Sequence, residues 1–182
     1  MPSHTIHDRG QIEQLRKTIA AATTNAAKAI AHLAGSTAPI EAFVRMKFHE
    51  LGYHPIENRR LNLIEQVNQT FTYLVSLAAA EQILIRHPGS APISLNLGTS
   101  AGSDLESASQ SVAAEVFAAV HRTNNRKLVK DVAKVAETDA THKYVFFYCP
   151  GEDCKPLRLE RFPDVEVIPL SEQQVWGDVP NV

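Results

Sequence analysis

Cysteine is scarce in this 182-residue chain: there are two, Cys149 and Cys154, on either side of a Pro-Gly-Glu-Asp turn. A structural zinc site takes four ligands, so one CxxxxC pair cannot form one. Nothing at the start of the sequence reads as a signal peptide, so the pair is expected to be two reduced thiols beside a turn, in a cytoplasmic protein. Long apolar runs are also missing. No stretch approaches the roughly 20 residues of a membrane span, and the Ala-rich run 18–34 is broken by Asn25, Lys28 and His32. No membrane contact is expected. Charge of one sign is missing too: the formal net charge is −2 and the pI about 6.4. No global basic field announces a nucleic acid, so such a partner would need a local patch. Phosphate-loop, GxSxG and HExxH motifs are absent, which removes the commonest nucleotide, esterase and zinc-protease readings.

What is present is ordinary globular composition, 44% hydrophobic and 21% charged residues. Length and composition predict one compact domain. Residues 1–60 are expected to be a helical extension packed on an α/β core of 61–182. Apolar steps of three and four predict a helix over 8–33, capped by Asp8 and stopped at Gly35. A second helix is predicted over 39–51 with Ile40, Phe43, Val44, Phe48 and Leu51 on one face, and a third over 62–86. Residues 53–60 read as a polar loop, and His49 and His54, near Tyr53, are expected to be exposed.

Then the texture changes. Residues 92–97 alternate with period two, as a half-buried strand does. A Gly/Ser/Thr turn covers 98–102, a short strand 104–106 and a hairpin loop 107–111. The run 112–120 is apolar around one charge, Glu115, as in a strand covered on both faces. A helix follows over 122–137, then strands over 143–149 and 165–170, with a peripheral tail from 171. Three strands in a meander, then a crossover helix returning a fourth strand to the same sheet, is the expected architecture.

Glu115 is the unusual residue. A carboxylate among Val and Ala is costly unless it meets a cation, a metal ion or a proton. Asp104 precedes it by eleven residues, after the Gly-rich turn, and a hairpin of that length brings the two together. Two converging carboxylates make a hard oxygen site suited to Mg2+ or Mn2+, which can polarise a phosphodiester and activate water. The alternatives are a core ion pair for Glu115 and a plain turn role for Asp104.

This order of elements, with an acid before the second strand and Glu115 inside the third, resembles the PD-(D/E)xK nuclease superfamily, the restriction endonuclease-like fold. The resemblance covers about 62–170 and implies a mixed sheet with an αβββαβ core, preceded by a helical N-terminal region. It implies Asp104 and Glu115 as metal ligands, a further acid at Glu65 with Gln69 one turn on, and duplex DNA as the substrate. Two departures stand out. Ser103 takes the place of the motif proline, and Phe117 takes that of the motif lysine, whose charge it cannot supply.

Some members recruit that charge from the following helix, which makes Lys127 the expected replacement and Lys130 the reserve. Arg122, Asn124, Asn125, Arg126 and Lys134 complete a local basic patch able to contact backbone phosphates, in which Asn124 and Asn125 are also helix-cap residues. Two alternatives remain open. One is a catalytically inactive nuclease-fold module that binds nucleic acid or protein; the other is a structural or assembly protein whose helical half forms an oligomer interface and whose Glu115 is a core ion pair. The expected self-association, without a location, is a homodimer.

Overall fold

The computed structural model describes residues 3–96 and 102–177. Leu97 and most of the turn expected at 98–102 lie outside the described residues. The chain divides into two compact units, one of residues up to 12 and from 74 onward, the other of residues 13–73.

The larger unit is a mixed α/β structure. Its strands, in chain order, are β1 (Ser3–Ile6), β4 (Ile93–Asn96), β5 (Leu105–Ser107), β6 (Val112–Ala118), β7 (His142–Tyr148), β8 (Leu157–Leu159) and β9 (Phe162–Pro169). The numbers β2 and β3 belong to two short strands of the other unit, Gly52–Tyr53 and Arg60–Leu61. The seven strands make one sheet in the order β1-β4-β5-β6-β7-β9-β8. It is mostly antiparallel; only β7 runs parallel to its neighbours β6 and β9. The parallel step from β6 to β7 needs a crossover, and α4 (Lys127–Ala136) provides it.

Spacing explains how α4 docks. Leu128, Val132 and Val135 recur at four and three residues and so share one face. They pack on Ala113 and Phe117 of β6, Val145 and Phe147 of β7, and Val165 and Val167 of β9. Side chains of this kind each contribute about 1.5–3 kcal/mol when fully buried. At the far end of α4, Lys143 Nζ donates to the Ala136 carbonyl at 2.8 Å and pairs with Asp164 at 3.1 Å. Lys143 therefore caps a helix and is not part of a free basic patch.

The last helix, α5 (Glu172–Trp176), opens with a capping box between Ser171 and Gln174. Its Glu172 accepts from the Tyr148 hydroxyl at 2.8 Å, and Trp176 meets the Tyr148 ring edge-on. Cys149 is buried, Cys154 is exposed, and both are free thiols.

Several local expectations are corrected. Residues 3–6, read as part of a helical region, form β1; the segment is too short to show a period, and Ile6 is fully buried. The short, bulged β8 was invisible for the same reason. The helix expected from 122 begins at Lys127 instead. Asn125 (φ 52°) and Arg126 (φ 55°) are left-handed, which interrupts a helix and leaves only a 3-10 turn, Asn124–Arg126, ahead of it.

The smaller unit contains most of α1 (Arg9–Ser36), all of α2 (Pro39–Phe48) and the start of α3 (Leu63–Arg86). Asp8 caps α1 by accepting from the Gln11 amide at 2.9 Å. Gly35 does not stop α1, which runs on to Ser36. Ala26, Leu33, Ala42 and Leu63 form the unit's core, with Met46 against it. Thus α2, which ends at Phe48 and not at Leu51 as expected, turns Ala42 and Met46 inward and leaves Ile40, Phe43, Val44 and Phe48 exposed, opposite to the usual amphipathic arrangement.

β2 and β3 form a hairpin held by buried Gln66, which accepts from the Tyr53 amide at 2.9 Å and donates to the Ala22 carbonyl at 3.0 Å. A β-carbon at Gly52 would collide with the Gln66 side-chain oxygen, so any larger residue there would have to displace the amide that holds the hairpin. His54, expected to be exposed, is buried. Its Nδ1 accepts from the Ile56 and Glu57 amides, so Nε2 carries the proton and donates to the Tyr73 hydroxyl at 2.9 Å. Burial, then the nearby Glu57 charge, push the Tyr73 hydroxyl up to about 12.

No helix among the described residues is long and apolar enough to cross a membrane.

Candidate functional site

Asp104 sits immediately before β5, and the strand pairing fixes what it faces. Leu105 pairs with Ala114 and Glu106 with Ala113, so the register carried one step back sets Asp104 opposite Glu115. The Asp104 carboxylate accepts from the Val116 amide at 2.9 Å, which ties it to the middle of β6. Its approach is also fastened. The Ser103 amide donates to Glu106 Oε1 at 2.7 Å, and Asn96 Nδ2 donates to the Ser103 carbonyl. Gly102 precedes this knot at φ 98°, where a β-carbon would crowd Glu106 Oε1 at 3.0 Å.

Glu115 is 2% exposed and projects from the same face of β6 as Ala113 and Phe117, the face that α4 covers. Its partner is Lys134 on α4. The ammonium lies 2.9 Å from each carboxylate oxygen and donates to Oε2, while Oε1 is buried with no hydrogen-bond partner. Asp131, one turn earlier on α4, is 4% exposed. Lys127 donates to its Oδ1 at 2.7 Å, and its Oδ2 is likewise buried and unmatched, as is Ser103 Oγ.

Three carboxylates thus face two ammoniums, and the imbalance shows in their acidity. Burial, then the Asp104 charge, push Glu115 up to about 7 against the opposing pull of Lys134. Asp131 is raised by burial, against Lys127 and with help from Asp104. Burial pulls Lys134 down, but Glu115, Asp104 and Asp131 together raise it above the ordinary lysine value, so it stays an ammonium.

The other sequence candidates fall as follows. Lys127 and Lys130, expected as the replacement for the missing lysine, are not the groups on Glu115: Lys127 is spent on Asp131, and Lys130 is exposed to solvent. Lys134, expected in the phosphate-contact set, is the cation that reaches Glu115. Arg122, Asn124, Asn125 and Arg126 are all exposed ahead of α4, Arg122 within 3.5 Å of Glu152. Glu65 belongs to the smaller unit, in a cap network: its amide donates to Asn62 Oδ1 at 2.8 Å, and its carboxylate accepts from Gln69 at 3.1 Å. Phe117 is core, stacked on Phe147 at 5.2 Å.

Asp131 was missed. An aspartate among lysines on an amphipathic helix looks solvated, and only the docking of Leu128, Val132 and Val135 reveals that it turns inward. A cavity of about 170 Å3 opens beside Ala113, lined by Glu106, Gln110, Thr138 and Asp139. Its acidic rim makes it the wrong surface for phosphates; the basic residues are Arg126, Lys127, Lys130 and Lys134 along α4.

Among the described residues no group of three or more His, Cys, Asp or Glu side chains is set to hold a metal ion. Mg2+ does not need one, since one or two carboxylates with water and substrate phosphate suffice. Asp104 and Glu115 fit that requirement with hard oxygen donors on directly opposed strand positions, the Glu115 oxygens being ion-paired with Lys134. Comparison with known proteins gives no matching family model, no matching curated protein and no matching solved structure.

Proposed function

We propose that this protein is a divalent-metal-dependent phosphodiester hydrolase acting on duplex DNA, of the PD-(D/E)xK kind. The observation that carries the reading is Lys134: a helix-borne ammonium on Glu115, itself opposite Asp104, where the motif's own lysine position holds Phe117. The element order α3-β4-β5-β6-α4-β7, with β6 and β7 parallel, supports an αβββαβ core of the restriction endonuclease-like type.

Asp104 and Glu115 would hold the Mg2+ or Mn2+ ion, which when bound polarises the phosphodiester and makes water more acidic. Lys134 offsets the negative charge of the carboxylates and, as a permanent donor, orients a phosphate oxygen or the attacking water. Asp131 holds Lys127 at the edge of the site, and Arg126 and Lys130 meet backbone phosphates.

One observation favours a second reading. The Glu115–Lys134 pair is already closed at 2.9 Å, as in a structural ion pair, which suits a module that binds DNA without cutting it. Incubation of the protein with duplex DNA in Mg2+, Mn2+ or chelator separates the two. The hydrolase cleaves only with metal and loses cleavage in Asp104→Asn and Glu115→Gln. Binding without cleavage under either metal selects the non-catalytic module.

A further inference from the structure

The outward face of α2 is the least expected surface of the smaller unit. Ile40, Phe43, Val44 and Phe48 follow helical spacing and form one stripe, and Ile40 is 73%, Phe43 68% and Phe48 75% exposed. Scattered apolar residues are normal on a surface, whereas a continuous stripe of this kind marks an interaction site. A fully buried aromatic ring removes about 150–250 Å2 from water, so two phenylalanines and two aliphatic residues offer on the order of 400 Å2. With a polar rim, that approaches the roughly 800 Å2 per partner of a standard interface.

The charges beside the stripe indicate the occupant. Glu41 and Arg45 stand on one flank, four residues apart, and touch each other only loosely at 3.7 Å. In a two-fold antiparallel helix pair, the same flank of each helix meets its twin. Centring such a pair on Phe43 sets Glu41 of one copy against Arg45 of the other, twice by symmetry. Lys47 lies on the stripe itself, four residues after Phe43 and three after Val44, and stands about 12 Å from its twin at 1.5 Å rise per residue, beyond close repulsion. The helix dipoles also run opposite ways, which is favourable. The patch is therefore largely apolar, and its flanking charges are complementary to themselves.

We propose that α2 is a homodimer interface, in which two copies pair antiparallel through Ile40, Phe43, Val44 and Phe48, with reciprocal Glu41–Arg45 contacts.

Sedimentation of the full chain over a concentration series tests it. The parent should shift from monomer to dimer as concentration rises, and Phe43→Asp and Phe48→Asp should remain monomeric with unchanged circular dichroism, since both side chains are exposed. Glu41→Arg should weaken the dimer several-fold, and Glu41→Arg with Arg45→Glu should restore it, a reversal that loss of folding could not produce. A parent that stays monomeric throughout overturns the proposal, including one that instead pellets with anionic vesicles. So does a dimer that survives both phenylalanine substitutions.

Discussion

Lys134 Nζ stands 2.9 Å from both carboxylate oxygens of Glu115, although nineteen residues separate them and they lie on different elements. The meeting is arranged by neighbours: Val132 and Val135 anchor α4 on the sheet and rotate Asp131 and Lys134 toward β6. The lysine is half exposed, so it reaches from solvent to a buried partner.

Lys134 is the first residue to test. Under the hydrolase reading, Lys134→Ala should lower cleavage by about 10^2- to 10^4-fold, the range for a positioned proton-handling or donor group. Lys130→Ala should leave cleavage near the parent value and reduce only the salt dependence of binding. Equal cleavage by the parent and Lys134→Ala would remove the lysine from the mechanism.

Asp104→Asn separates metal binding from folding. The amide oxygen can still accept from Val116, so the fold should hold. In the parent, Mg2+ or Mn2+ at ten times its dissociation constant should add about 1.4 kcal/mol, or about 3–6 °C in Tm. The variant should lose that rise. A metal-independent melting curve in the parent counts against the site.

The acidity of Glu115 gives a pH signature. Its folded value, about 7, lies above the ordinary glutamate value. The folded state therefore binds the extra proton between about 4.5 and 7, and the stability that proton confers is complete below the lower value. It is lost as pH rises to 7. Glu115→Gln cannot titrate, so its stability relative to the parent should rise by about 1–3 kcal/mol across that window and then level off. Chemical denaturation at several pH values measures it, and parallel curves would refute the shift.

Phe117→Lys should not restore the motif. Phe117 is buried and stacked on Phe147, so the exchange removes an aromatic worth about 3–5 kcal/mol and adds a charge to the core. A cooperative unfolding transition shifted by at least that amount is expected. A stable and more active variant would show that residue 117 reaches the site.

The placement of Glu115 was legible because a single carboxylate inside Val112–Ala118 has few physical options. Its nearness to Asp104 followed from hairpin length, and the register agrees. The identity of the cation was not legible. Distance along the chain favours Lys127, but the rotation of α4 is decided by tertiary packing, which assigns Lys127 to Asp131. The α2 stripe misled for a related reason. Periodicity reports that a face is apolar and says nothing about which neighbour covers it; the small face with Ala42 was chosen for the core.

The chain has a single tryptophan, Trp176, packed edge-on against Tyr148 at the end of β7. Its fluorescence is therefore a private signal of the sheet-bearing unit, while far-ultraviolet dichroism is dominated by helices contributed by both units. Recorded together during denaturation, the two signals tell whether residues 13–73 melt with the sheet or apart from it. Coincident transitions would mean one cooperative unit, and a dichroism change at constant emission would mean two.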